Sequence, residues 1–345
     1  METLEIERSG EKAGMKKRRK KRWLVLRIVA LLLLVLLLFS ALTPIPVAYA
    51  VRTAFTVNIA MAPDGYEDME AAVSATKDVV YSSAFRQNLA DIYIPKEAAE
   101  PFPVVLWVHG GAFVGGGKRD VEIYATALAA RGFAVVCINY ERAPEAKYPT
   151  PVVQTGEAYL WLTGVAEEYH LDMSRFALAG DSAGAHIVAQ FAAIQSNSAY
   201  AQEMGIEPVV TPDTLRAMAL FCGPYDVEKI AENEYATFRF LMGQAAWAYF
   251  GSRNWAEQVG EQATITNHIT ADFPPTFLTD GNTASFEEHS RMLEQALQVQ
   301  QVPVESFYVP VEEAITIHEY QFLMDTPAGA VSYERVVAFL EQYLI

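Results

Sequence analysis

Cysteine is nearly absent from this chain of 345 residues, occurring only at Cys137 and Cys222. Two thiols cannot build a disulfide framework or a four-cysteine metal site. Both fall in apolar, strand-like runs, Phe133 to Tyr140 and Ala217 to Cys222, where they read as small buried hydrophobes. The sequence also lacks a Pro/Gly/Ser-rich linker and any repeat of fixed period, so nothing divides the part beyond residue 50 into two bodies. Basic residues are scarce in that part. Residues 1–50 hold 10 of the 26 Lys and Arg but only 4 of the 42 acids, which leaves 16 basic against 38 acidic residues, a balance of −22. Such a surface repels phosphate backbones, which argues against a nucleic acid partner and favours a neutral or cationic substrate; it also serves plain solubility.

The first 50 residues are rich in basic charge and then in apolar length. Lys16-Lys17-Arg18-Arg19-Lys20-Lys21-Arg22 precedes Trp23 to Leu42, a run interrupted only by Arg27 and closed by Pro44 and Pro46. At about 1.5 Å per residue this run crosses the hydrocarbon core of a bilayer, with Arg27 close enough to its basic end to snorkel. Basic flanks stay cytoplasmic, which sends the C-terminal part across the membrane. The expected organisation is a cytoplasmic basic segment and transmembrane signal-anchor over residues 1–50, then a single domain over 51–345 with a cap inserted at about 223–272. A cleaved signal peptide is the alternative, because Ala48-Tyr49-Ala50 has the A-x-A form of a cleavage site. Either way the domain lies outside the cytoplasm, at the cell membrane or secreted.

Beyond the anchor, strand and helix patterns alternate. Leu89 to Ile94 alternates in hydrophobicity, whereas Val104-Val105-Leu106-Trp107-Val108 is a continuous apolar run suited to a sheet covered on both faces. A helix follows from Asp120 to about Gly132, then a strand over Ala134 to Tyr140, a helix over roughly Val153 to Glu168, a short strand at Phe176 to Ala179 and a helix over Ala185 to Ala193. Further strands are expected at Ala217 to Phe221, Thr276 to Thr279 and Glu305 to Val309. This alternation predicts an α/β fold, a mostly parallel sheet with helices on both faces and ligands beyond the carboxyl ends of the strands. The 50 or so residues between the Ala217 and Thr276 strands carry Phe238, Phe240, Trp247, Tyr249, Phe250 and Trp255. A stretch that long needs structure of its own, hence a helical cap.

Gly180-Asp181-Ser182-Ala183-Gly184 fits G-x-S-x-G between a strand and a helix, the context of a nucleophile elbow. The sharp turn lifts the Ser182 hydroxyl clear of the sheet, small flanking residues avoid clashes, and the following helix aims its first NH groups at a developing oxyanion. His109-Gly110-Gly111-Ala112 closes an earlier strand as an oxyanion loop of the HGGG type, so Gly110, Gly111 and Ala183 are the expected donors. A phosphate loop is excluded here. Ala112 stands where the first glycine belongs, and Arg119 where Ser or Thr should follow Lys118.

With Tyr140-Glu141-Arg142-Ala143-Pro144-Glu145, similar to a Y-R-L-A-P-E motif, these segments resemble the esterase and lipase branch of the α/β-hydrolases that includes hormone-sensitive-lipase-like and related bacterial carboxylesterases. The resemblance runs from about Asn88 to the C-terminus. It implies an eight-stranded sheet in the order 1-2-4-3-5-6-7-8, a Ser-acid-His chain order, no cofactor and no metal. In that order Cys137 and Cys222 lie three strands apart, about 14 Å at about 4.8 Å per strand, too far for a disulfide.

The family places its histidine after the last strand, where His318 stands nine residues beyond Val309. His109 belongs to the oxyanion loop, His186 rides the helix after the elbow, His170 and His268 precede the wrong strands, and His289 reads as a helix surface residue. His318-Glu319 opens an H-E-x-x-H pattern, but Phe322 occupies the second histidine's place, which excludes a zincin site. The acid departs from the family, whose usual position aligns with Ala284. Asp280 at the strand end is the preferred replacement, with Asp226, Glu287 and Glu288 as other candidates; a Ser-His dyad or an inactive protein remains open. The expected chemistry is hydrolysis of a small-molecule carboxylic ester through an acyl-enzyme on Ser182, with His318 as base. The alternatives are a peptidase or polysaccharide deacetylase of the same fold, or a membrane-anchored binding protein that has lost catalysis.

Overall fold

The computed structural model describes residues 2–54, 60–97, 101–211, 213–232 and 234–345. Residues 55–59 and 233, inside the expected domain and cap, lie outside the described residues, as do the side chains of the basic residues 16–18. The chain divides into two compact units, Met1–Val47 and Ala48–Ile345. The first is dominated by helix α1 (Glu2–Leu42), whose Arg19–Leu42 stretch contains an 18-residue window of mean hydropathy 2.9 and is long and apolar enough to cross a membrane. Helix α2 (Ile45–Ala54) begins beside Pro46, which suits a first helical turn, and buries Ala48 and Val51 in the second unit.

The second unit is built on strands β1 (Val73–Val80), β2 (Leu89–Pro95), β3 (Phe102–Val108), β4 (Ala134–Ile138), β5 (Leu171–Asp181), β6 (Leu215–Phe221), β7 (Thr276–Asp280) and β8 (Val304–Tyr308). They form one sheet in the order β1-β2-β4-β3-β5-β6-β7-β8. The β1/β2 and β2/β4 pairs are antiparallel and the rest parallel. This is the expected sheet, with the first strand now located: β1 is an exposed edge strand whose Lys77 and Asp78 hide it from a hydrophobic-pattern search. The helices of this unit after α2 are α3 (Tyr66–Ala71), α4 (Glu122–Ala129), α5 (Thr150–Val165), α6 (Ala183–Ser196), α7 (Ser198–Met204), α8 (Ala236–Phe250), α9 (Trp255–Ala263), α10 (Glu287–Val299) and α11 (Pro327–Leu344).

The sheet is covered on both faces because its central strands are apolar throughout: β3 and β4 bury every residue. Trp107 stacks on Phe221 with ring centroids 5.3 Å apart, and Tyr124, Phe322 and Tyr333 join the same core layer. Helices α8 and α9 form the cap between β6 and β7. Tyr249, at the end of α8, is fully buried and stacks on Phe113 at 4.1 Å, so the cap packs directly on the loop after β3. Cys137 and Cys222 are both free and buried.

Candidate active site

The elbow is formed where β5 turns into α6. Ser182 sits at φ +48°, a strained conformation for a side chain with a Cβ, and its NH donates to the Phe221 carbonyl at 2.7 Å. The flanking glycines are steric requirements. A Cβ on Gly184 would lie 2.0 Å from the Val108 carbonyl oxygen, and one on Gly180 would meet Gly184 backbone at 2.7 Å. Crossing that closely over the end of β3 brings the first turn of α6 against the oxyanion loop.

That loop is itself braced. His109 stacks on Tyr140 at 4.4 Å, and burial pushes its imidazole down to about 3, which keeps it neutral. Arg142 donates to the Gly116 carbonyl at 2.5 Å, and Glu145 holds Arg52 at 2.6 Å, so the Tyr140 to Glu145 motif supports the glycine loop from below. Lys118 pairs with Asp78 at 2.7 Å and Asp91 at 2.5 Å, a structural role consistent with the rejection of a phosphate loop. One expected donor is corrected. The Gly110 NH gives its hydrogen to Asp181 Oδ2 at 2.7 Å, while Trp107 Nε1 donates to the other oxygen at 2.7 Å. Gly110 therefore anchors the loop to the elbow, whereas among the described residues neither the Gly111 nor the Ala183 amide is tied to a protein acceptor.

His318 Nε2 lies 2.9 Å from Ser182 Oγ, the pair expected from the sequence. Desolvation pushes the imidazole down to about 4, so at neutral pH the ring is uncharged. Phe286 and Phe238, the latter from cap helix α8, stand edge-on to the ring at 5.6 and 6.5 Å, giving the site apolar walls.

Asp280 ends β7 fully buried, beside the base but not against it. The Ser285 hydroxyl lies between them: it donates to Asp280 Oδ1, and its oxygen is 2.8 Å from His318 Nδ1. Asp280 Oδ1 also faces the Phe286 NH at 3.3 Å, and Ser290 donates to Oδ2 at 2.7 Å. Burial raises the Asp280 carboxyl to about 7 despite these donors. Direct carboxylate-imidazole contact, the arrangement expected of Asp280, is thus replaced by contact through one hydroxyl. Ala284, at the family's usual acid position, adopts φ +49° and hands the next residue to the site.

The other acid candidates are engaged elsewhere. Asp226 bonds the Lys229 NH at 3.4 Å and pairs with its ammonium at 3.6 Å, and Glu287 pairs with Arg291 at 2.6 Å; Glu288, also in the first turn of α10, makes no contact with His318 among the described hydrogen bonds. His289 is not a surface residue: it is buried and its Nδ1 accepts the Asp226 NH at 3.2 Å. The spacing His289, Leu293, Leu297 along α10 marks that buried face. His186 is fully buried, with Nε2 3.0 Å from the Ala263 carbonyl. Cys222 Sγ, Asp280 and His318 converge within 4.8 Å, the spacing of a cluster able to hold a metal. The Asp280 and His318 atoms are spent on Ser285, so the arrangement is a hydrogen-bond network. Sequence reading also missed Glu319. Its carboxyl is 3.9 Å from His318 Nε2 and hydrogen-bonded to Asp181; burial and the facing acid hold it well above the usual carboxylate range, and burial lifts Asp181 to about 6.

An eight-stranded sheet in this order, with a serine elbow after β5 and a histidine after β8, defines the α/β-hydrolase fold. The BD-FAE family model matches residues 90–297, more than half of the chain, and the chain belongs to that family. It is 27% identical over 269 residues to LipM of Mycobacterium tuberculosis, described as a probable carboxylic ester hydrolase, in an alignment covering 76% of this chain and 60% of that protein. With an acetyl esterase of Salmonella paratyphi B it shares 25% identity over 251 residues, 68% of this chain and 71% of that one. The chain therefore spans less than two thirds of LipM's length. Among solved structures, esterase B from Lactobacillus rhamnosis has the same fold, with a TM-score of 0.71, 18% identity and coverage of 90% of this chain and 95% of that one.

Proposed function

We propose that the protein is a serine hydrolase that cleaves carboxylic esters, anchored in a membrane by α1. The observation that carries this reading is Ser182 Oγ, raised on a strained elbow, 2.9 Å from the uncharged His318 Nε2. As Ser182 attacks the ester carbonyl, its proton passes to Nε2 and the carbonyl electrons move to oxygen, where the Gly111 and Ala183 amides receive the negative charge. Collapse expels the alcohol, which takes the proton from Nε2. Water then repeats the sequence on the acyl-enzyme, releasing the carboxylic acid and restoring Ser182. The ester hydrolases among the relatives support this chemistry over a peptidase or polysaccharide deacetylase, and the intact Ser182-His318 contact supports an enzyme over a catalytically lost binding protein. Rapid labelling of Ser182 by a fluorophosphonate, with hydrolysis of short p-nitrophenyl esters and none of peptides, is the expected result. An unlabelled protein would count for the binding role.

The anchor reading draws support from α2. A signal peptidase acting after Ala50 needs an extended, accessible segment, but Ala48-Tyr49-Ala50 is helical, with Ala48 fully buried and the Tyr49 hydroxyl 2.9 Å from Glu145. The basic flank of α1 orients the domain outside the cytoplasm. Protease treatment of intact cells should remove the domain; a soluble extracellular form beginning near Val51 would favour cleavage instead.

A further inference from the structure

We infer that Ser285 is a positioning residue through which Asp280 acts on His318, so that the site works as a Ser182-His318-Ser285-Asp280 chain. This deepens the reading above and rests on its assignment of Ser182 and His318. A hydroxyl has one hydrogen to give and two lone pairs with which to accept. With Asp280 ionised, the Ser285 hydrogen goes to Oδ1, and the Ser285 oxygen accepts from His318 Nδ1–H. That choice leaves Nε2 as the unprotonated nitrogen facing Ser182. The tautomer needed for a general base is thus selected through the hydroxyl, the task a directly bonded carboxylate performs in the handed-down serine triad. When Nε2 takes the Ser182 proton, the positive charge on the ring is met by the polarised Ser285 oxygen and, behind it, the Asp280 carboxylate. No proton moves along the chain.

The loop is built for this spacing. Asn282 and Thr316 exchange hydrogen bonds, each accepting the other's backbone NH on its side chain at 3.1 Å, and the Thr283 NH donates to the Thr316 carbonyl at 3.0 Å. A Cβ on Gly281 would meet the Ile317 carbonyl oxygen at 2.2 Å. The Asp280 loop is therefore laced against the segment that carries His318, and Ser285 is held between them. Ser290 and the Phe286 NH fix the carboxylate from its other sides.

If Asp280 were protonated it would donate to Ser285, the Ser285 hydrogen would turn toward Nδ1, and the ring would present Nε2–H to Ser182, the wrong tautomer. The groups around Asp280 are Cys222, Tyr225, Tyr308 and Tyr320 besides His318, and among these there is no permanent cation to hold the carboxyl low. The acid limb of activity should accordingly follow Asp280 near 7 and not His318 near 4.

The test uses the full chain in detergent with a p-nitrophenyl ester. Ser285→Ala and Asp280→Asn should each lower kcat about 10²-fold or more, by analogy with loss of a triad acid, and the double variant should be no worse than the more damaging single change. Asp280→Asn should also move the acid limb from near 7 toward 4. Ser285→Thr, which keeps the hydroxyl, should recover most of the loss, and Ser290→Ala, which removes a donor to Asp280 that does not touch His318, should cost at least tenfold less than Ser285→Ala. Ser285→Ala within threefold of the parent, losses that multiply in the double variant, or an acid limb unmoved by Asp280→Asn would each overturn the relay. These failures stay distinct from failure of the proposed function, which would appear as hydrolysis surviving in Ser182→Ala.

Discussion

Two turns leave the same edge of the sheet and both lead into a helix, but they reach their chemistry by opposite routes. The β5–α6 turn is specified locally: five consecutive residues supply the proposed nucleophile, the strained φ and the glycines that allow close crossing of β3. The β7–α10 turn is specified by its surroundings. Asp280 is at the strand end, yet its reach to the base depends on Asn282, Thr316 and Gly281, which fit two loops together from segments more than thirty residues apart. A catalytic residue set in a local motif is readable from sequence, whereas one set by the distance between loops must be found in three dimensions.

The largest effect should come from the local turn. Ser182→Ala removes the nucleophile and should lower turnover by about 10⁶-fold, as in other serine hydrolases, with an unchanged unfolding transition. Ester hydrolysis near the parent rate in a folded variant would break the comparison at its root. Next is Gly184→Ala, whose Cβ would stand 2.0 Å from the Val108 carbonyl. Overpacking of this kind costs about 1–3 kcal/mol, so the melting temperature should fall by about 2–5 °C alongside activity. A variant as stable and active as the parent would show that the elbow is looser than its geometry.

A smaller effect, visible only against pH, is expected at Glu319. Asp181 and Glu319 titrate higher in the folded protein than in the unfolded chain, so the native state retains protons that the unfolded state releases. Their stabilising contribution is complete below the unfolded carboxyl range near pH 4 and is lost as pH rises through about 6 and above. His109, His186, His289 and His318 are shifted down and act in the opposite sense between about pH 3 and 6.5. Glu319→Gln should therefore gain stability relative to the parent as pH rises from 5 to 8 in thermal melts; parallel curves would refute a shared proton. The smallest changes are expected from Asp226→Asn and Glu287→Gln, within about twofold of parental kcat, since both carboxylates are paired away from the base. A large loss at Asp226 would transfer the acid to the loop after β6.

The sequence legibility of each part follows the same division. The strands and the elbow around Ser182 are legible because apolar runs and motif spacing are properties of short segments, whereas the sheet order and the choice of His318 came from the resemblance to the esterase family, which supplies the connections and the position after the last strand. Asp280 was accessible as a carboxylate at a strand end. Ser285 was not, because a serine in a turn carries no signal until His318 is placed beside it. Gly110 was misread for a related reason: a glycine of an oxyanion loop looks like a donor, and only the position of the Asp181 carboxylate shows that its NH is already used. β1 was hidden by its exposed polar residues, and the buried side of His289 was missed although the stripe it shares with Leu293 and Leu297 was there to be read.

The helix that follows the apolar segment also governs where the chain can be cut. Arg52 donates to the Val114 and Ala143 carbonyls, each at 2.6 Å, while gripping Glu145, so a short N-terminal piece is fastened to the stretch that follows the oxyanion glycines. A protein begun at Ala48 keeps that fastening, and one begun after Ala54 discards it. The two truncations differ by seven residues, and the shorter protein should turn over ester more slowly and unfold at a lower temperature even though Ser182, His318, Ser285 and Asp280 are all still in place.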